Sequence, residues 1–270
     1  MDTITAILLG VVEGITEFLP VSSTGHLILV SDLLGLEHTE FLKSFEIAIQ
    51  LGAILAVVLL YFRKLFFERG VLARVVTAFA PTAILGGILY PVIKTYLIGN
   101  SGVVLIALFL GGVFLIFFER WYKKKNPLST NGEEGQEGAK LDFPSLQRIT
   151  FRQAFIIGLC QSVSMIPGVS RAAATIIGGL ALGLSREVIV EFSFLLAIPT
   201  MAAATGFDLL RSVESFSGND WSLLAAGFLA AFASALLAVR FLVSFIKRHT
   251  FISFGFYRIF AALIFFLILF

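Results

Sequence analysis

Glu13 and Glu17 stand four residues apart in the stretch G-V-V-E-G-I-T-E-F-L-P-V-S-S-T-G-H, which runs from Gly10 to His26. On a helix that spacing puts both carboxylates on one face. Oxygen donors so placed suit a hard divalent cation, Mg²⁺ or Ca²⁺, and leave coordination positions for water and phosphate oxygens. Gly10 and Gly14 beside them would let another backbone approach closely. The plain alternative is a pair of solvated acids at a membrane interface. Against it, ionised groups inside an apolar segment are costly and usually functional. Pro20 stops the helix, and Ser22, Ser23, Thr24, Gly25 and His26 follow on a turn. Such a turn can simply satisfy a helix end. Here, however, a hydroxyl nucleophile has an imidazole and a metal site within a few residues, either of which could activate it. The combination favours covalent or metal-assisted group transfer.

A second polar group lies in P-G-V-S-R, where Ser170 precedes Arg171 and Thr175 follows. An arginine there could be an anchor snorkelling to water. Its planar fork also matches phosphate bidentately. If the two stretches meet, Arg171 faces Glu13 and Glu17, and the set becomes a phosphoryl-transfer kit. Glu46 and Gln50, also four apart, would share a face turned to a cavity or to the interface. The cluster Lys247-Arg248-His249 reads as a cytoplasmic anchor that anionic headgroups could also use.

These groups need elements to hold them, and the composition says which kind. Of 270 residues 58% are hydrophobic and 14% charged, with 29 phenylalanines, whereas a soluble domain has about a quarter of its residues charged. A polytopic, all-α membrane protein follows. The net charge of +2 offers no basic patch for nucleic acid, and the single cysteine, Cys160, excludes an intrachain disulfide. With Asp2 at its start, the N-terminus does not read as a cleavable signal.

A crossing needs about 20 apolar residues. Six stretches qualify, near 45–62, 75–97, 102–121, 188–209, 222–246 and 252–270. Two shorter ones, near 3–19 and 153–166, run into Pro20 and Pro167, and each precedes another short apolar piece, 27–36 or 172–184. Such pairs fit re-entrant broken-helix hairpins, which are tolerated at membrane depth only inside protein or around a water-filled cavity. The segment 123–150, rich in Gly, Asn and mixed charge, reads as a mobile cytoplasmic linker between halves 1–122 and 151–270. Pro20 and Pro167 are 147 residues apart, as are Phe45 and Phe192. Each half then reads as one hairpin plus three transmembrane helices, and an odd number of crossings makes the second copy an inverted repeat. Basic residues in 63–74, in 123–125 and in 247–258 (Lys247, Arg248, Arg258) place those segments in the cytoplasm and both termini outside. By contrast 208–220 and 37–43 are acidic.

The motifs E-G-I-T-E-F-L-P-V-S-S-T-G-H, F-E-I-A-I-Q-L-G and S-M-I-P-G-V-S-R closely resemble those of the bacterial undecaprenyl-diphosphate phosphatase, or bacitracin-resistance, family. The resemblance runs from the first hairpin to R-F-L and F-Y-R-I near the end. It implies a multi-pass enzyme of the bacterial plasma (inner) membrane. Such an enzyme removes the terminal phosphate of a C55 polyprenyl diphosphate and regenerates the monophosphate carrier lipid for peptidoglycan synthesis. Carried across by motif, Glu13 and Glu17 match the family's paired acids, Ser23 its proposed nucleophile, His26 its histidine and Arg171 its arginine. Ser22, Thr24, Ser170 and Thr175 serve as supporting hydroxyls. Where the family continues S-R-S-G-A-T, Ala172 and Ala173 stand here, so that turn lacks a hydroxyl and a glycine that could bind phosphate.

The expected chemistry is attack by Ser23 on the terminal phosphorus, with His26 as base and then acid. Glu13 and Glu17 would hold the cation, and Arg171 would neutralise the phosphates. His26 as nucleophile and direct attack by water stay open. The expected partners are the polyprenyl diphosphate and the membrane, with a homodimer left open and the site opening to the outer face. A transporter or flippase for an anionic lipid or small anion would share the architecture, but needs no nucleophile. A purely structural subunit would leave the buried charges unexplained.

Overall fold

The computed structural model describes residues 1–37, 39–97, 100–125, 144–212 and 218–269. All regular structure among them is helical. Six of the described helices are long and apolar enough to span a membrane: α3 (Glu40–Phe67), α4 (Arg69–Val92), α5 (Ser101–Lys125), α9 (Arg186–Ser212), α10 (Gly218–Ile246) and α11 (Ile252–Leu269). The remaining helices are short. α1 (Thr3–Thr16) and α2 (Ser23–Leu33) flank Pro20, α7 (Phe151–Ser162) and α8 (Arg171–Ala181) flank Pro167, and α6 (Pro144–Gln147) is a single turn. At 1.5 Å per residue the 14 residues of α1 reach only about 21 Å, well under the hydrocarbon thickness.

Each short pair breaks in the same way. After Pro20 and Pro167 the chain turns through a serine with positive φ, 74° at Ser22 and 75° at Ser170. Each of these serines caps the next helix, accepting from the backbone N–H of Gly25 and of Ala173 respectively. Left-handed backbone is unfavourable for a residue carrying Cβ. Its appearance at both turns marks them as over-determined by their surroundings. The Ala172-Ala173 departure therefore leaves the cap at Ser170 intact.

The packing partners exchange with the halves. α1 lies against α10 as α7 lies against α4, and α10 lies against α3 as α4 lies against α9. α3 pairs with α9 and α5 with α11 across the halves. Small residues permit the close crossings: a Cβ on Gly14 would collide with the Ala231 carbonyl, and one on Gly158 with that of Ala78. The spans of α3 and α9 are the most enclosed, 61% and 56% buried, against 28% for α4 and for α11. Their contact is therefore the centre of the bundle. Phe18, Phe192, Phe194 and Leu195 fill it, while Ile4, Ile88, Phe117 and Leu267 point outward, as lipid-facing side chains do.

Three expectations need amendment. The basic segment 63–74 is scarcely a loop: α3 and α4 run through it and break only at Glu68, since Lys, Arg and Glu are good helix formers that carry a span beyond the apolar zone. The linker is shorter at its C-terminal end. α6 follows there, and Leu146 and Ile149 are buried in the main core, while residues 126–143 lie outside the described residues. Arg258, expected among the loop charges, sits inside α11 with no exposed surface. Of the acidic segment 208–220, residues 213–217 also lie outside the described residues.

The bundle also buries an ion pair near the α5 and α11 termini. Arg186 bonds both oxygens of Glu119, at 2.5 and 2.7 Å, between the rings of Tyr122 and Phe251. The Phe251 backbone N–H supplies a further donor to Glu119.

Candidate active site

The two broken pairs meet tip to tip. α1 and the turn after it bring Glu13 and Glu17, the first turn of α2 brings Ser23 and His26, and the first turn of α8 brings Arg171 from the opposite half. None of these five residues is more than 8% exposed. Glu17 is the hub. Its Oε1 accepts from Arg171 Nη2 at 2.8 Å, and its Oε2 accepts a short hydrogen bond from the Ser23 hydroxyl. Arg171 Nη1 donates to the Ser193 carbonyl at 2.8 Å and to its Oγ at 3.3 Å. The Ser193 Oγ is itself 2.6 Å from Thr175 Oγ1. The Arg171 guanidinium lies 5.8 Å from the centre of the Phe18 ring. The arginine is thus braced on three sides and aimed at the acids.

Two sets of polar atoms in this cluster have no hydrogen-bond partner among the described residues. Both oxygens of Glu13 are buried and unbonded, and so is Nε of Arg171. Among the described residues Glu17, Glu46 and Arg171 act electrostatically on Glu13, so that two further carboxylates and one guanidinium stand near it. Burying such atoms unpaired is expensive, and what would satisfy them is of opposite kind: a cation for Glu13 and an anion or other acceptor for Arg171. The donor set therefore fits a hard divalent cation. Among the described residues no third His, Cys, Asp or Glu completes a metal cluster, so further ligands would be water and phosphate oxygens.

The sequence-predicted residues divide into those gathered and those set apart. Glu13, Glu17, Ser23, Arg171 and Thr175 form the cluster. Ser22 and Ser170 serve as helix caps at its rim, and Thr24 is half-buried beside them. His26 is engaged elsewhere: Nδ1 is 2.8 Å from the Ser22 carbonyl and Nε2 2.9 Å from the Tyr257 hydroxyl. A carbonyl can only accept, so the proton belongs on Nδ1 and Tyr257 donates to Nε2. The Tyr257 ring stacks on the imidazole, 6° from parallel. Glu46 accepts from Ser31 at 2.7 Å, and Gln50 is buried one turn beyond it on α3.

Ser193 and Tyr257 are the residues that motif reading missed. Ser193 follows Phe192, whose 147-residue spacing from Phe45 makes it the counterpart of Glu46, and that register was the available signal. Tyr257 lies in the F-Y-R-I segment of the resemblance, but an aromatic in an apolar helix resembles its neighbours and gave no sign of a part in the site.

A helical bundle with six candidate spans, and an ionic cluster where two broken helices meet, defines a polytopic membrane protein with a polar site buried among its helices. The chain belongs to the family described as bacitracin resistance protein BacA, which it matches over residues 6–264. It is 49% identical over 260 residues to the undecaprenyl-diphosphatase of Aquifex aeolicus (strain VF5), covering 96% of each chain. It is 48% identical over 267 residues to that of Persephonella marina (strain DSM 14350 / EX-H1), covering 99% of each. For the undecaprenyl-diphosphatase of Campylobacter fetus subsp. fetus (strain 82-40) the identity is 47% over 268 residues, covering 98% of each.

Proposed function

We infer that the chain is an undecaprenyl-diphosphatase, a hydrolase that removes the terminal phosphate of a C55 polyprenyl diphosphate and returns the monophosphate carrier lipid to cell-wall synthesis. Membership of the BacA family and the names of the relatives support the activity. The observation that carries the site is the pair of buried groups without a hydrogen-bond partner among the described residues, the Glu13 oxygens and Arg171 Nε. A diphosphate that arrives with a divalent cation supplies a partner for each.

Arg171 binds the phosphates through Nε and orients them, while its Nη atoms stay fixed on Glu17 and Ser193. Ser23 Oγ attacks the terminal phosphorus, and the bridging P–O bond breaks to release the polyprenyl monophosphate. The hydroxyl proton passes to Glu17, the carboxylate it already bonds. Water then cleaves the phosphoseryl ester, Glu17 manages the proton, and inorganic phosphate leaves. Glu13 and Glu17 would hold Mg²⁺ or Ca²⁺, which when bound neutralises phosphate charge. In this scheme Glu17 takes the base role first expected of His26, because the imidazole is already committed to Ser22 and Tyr257. The halves form an inverted repeat, a reading supported by the exchange of packing partners, and the site opens to the outer face, a reading that rests on loop charge alone.

The test is transfer of terminal-labelled phosphate to the purified protein. Label on Ser23, lost with Ser23→Ala together with turnover, supports the scheme. Phosphate release by Ser23→Ala at near the wild-type rate would remove Ser23 as nucleophile and leave His26 or water.

A further inference from the structure

Arg258 is the largest side chain with no exposed surface among the described residues, and the scheme above does not use it. It lies in α11, directly after Tyr257. Its partners are five main-chain carbonyls: Nε donates to Leu108 at 3.4 Å, Nη1 to Pro20 at 3.3 Å and Val169 at 3.0 Å, and Nη2 to Ala107 at 3.0 Å and Gly168 at 2.8 Å. A guanidinium has five N–H donors, so every one is spent. Arg171, by contrast, leaves its Nε without a partner among the described residues.

The carbonyls belong to three separate elements. Pro20 is the turn of the first broken pair, Gly168 and Val169 are the turn of the second, and Ala107 and Leu108 are on α5. Backbone carbonyls at the ends of broken helices carry partial negative charge and are natural cation ligands. Pro20 lies three residues from Glu17 and from Ser23, and Val169 two from Arg171. One side chain therefore joins the two turns whose registration sets the Glu17–Arg171 and Glu17–Ser23 contacts. Room for it is provided at Gly111, where a Cβ would collide with Nη2.

We propose that Arg258 is a positioning residue for phosphoryl transfer: it pins both turns to α5 and holds Glu17, Ser23 and Arg171 in register, without touching substrate. The proposal rests on the phosphatase reading for its kinetic consequence but not for its structural one. Two variants keep the test clear of simple unfolding. Arg258→Lys retains the charge but offers three donors on a compact head, too few to reach all five carbonyls. Gly111→Ala keeps the arginine and pushes only its flexible end off the carbonyls.

The experiment measures phosphate release from a polyprenyl diphosphate by the full chain in detergent, with amide hydrogen exchange at residues 17–23 and 166–171. Both variants are expected to lower kcat by about a hundredfold, the cost of roughly 1 Å of misplacement. KM should stay within about threefold of wild type, because no substrate contact is lost, and exchange should rise at both turns together. A kcat within about threefold of wild type, or a raised KM with kcat retained, would overturn the proposal, the second outcome making Arg258 a substrate ligand. Exchange that rises at one turn or at neither would also overturn it, even if the wild type released no phosphate. That last result would count against the phosphatase reading instead.

Discussion

Glu13 and Glu17 look equivalent in the sequence and are not equivalent in the folded protein. Glu17 has both oxygens occupied, by Ser23 and Arg171, whereas among the described residues neither oxygen of Glu13 has a hydrogen-bond partner. Their roles should therefore separate on mutation. Glu13→Gln keeps the shape and removes a charge. It is expected to raise the Mg²⁺ or Ca²⁺ concentration for half-maximal phosphate release by about tenfold or more, the range seen when a metal site loses a supporting group, with much of the maximal rate recovered at saturating metal. Glu17→Gln should not be rescued by metal, because it disturbs the nucleophile and the arginine together. A metal titration of phosphate release by the two variants, with an EDTA-treated control, separates these outcomes. Rescue of both to the same degree would show that the acids share one function.

At the level of elements, the two broken pairs are held by close helix crossings, α1 on α10 and α7 on α4. Gly14 and Gly158 mark them, and at each an added methyl meets a backbone carbonyl that cannot rotate away, Ala231 or Ala78. Overpacking of this kind costs about 1–3 kcal/mol. Gly14→Ala and Gly158→Ala are each expected to lower the melting temperature in detergent, and by similar amounts if the halves are equivalent structural units. Thermal unfolding of both variants, followed by tryptophan fluorescence, checks this. An unchanged melting temperature for either would mean that its crossing is loose.

The whole molecule raises the question of which way it faces. Loop charge suggests an orientation, and one of the charges, Arg258, is buried inside α11. Lys123, Lys124 and Lys125 at the end of α5 and Lys247 and Arg248 after α10 are exposed, and they carry the assignment now. A reporter fused after Phe270 is expected to be active only outside the cytoplasm, since α11 follows that basic end with one more crossing. A reporter active in the cytoplasm would invert the whole arrangement, and with it the face from which the diphosphate enters.

The six spans and the two pairs too short to span were legible because length and hydropathy are local properties of a chain. The polar motifs were legible because charges and hydroxyls are conspicuous in an apolar background, and so the cluster's membership was largely readable before its geometry. Its wiring was not. Arg171 reaches Glu17 across 154 residues, Tyr257 reaches His26 across 231, and Arg258 reaches Pro20 across 238. No periodicity encodes which helices touch over such separations. In a protein whose surface faces lipid, buried and exposed side chains are alike in composition, so burial could not be inferred from residue type. The amino-acid sequence by itself determined which reactive groups sit at the two turns. Only helix packing decided that Ser23 leans on Glu17 rather than His26, and that an arginine near the end of the chain ties both turns together.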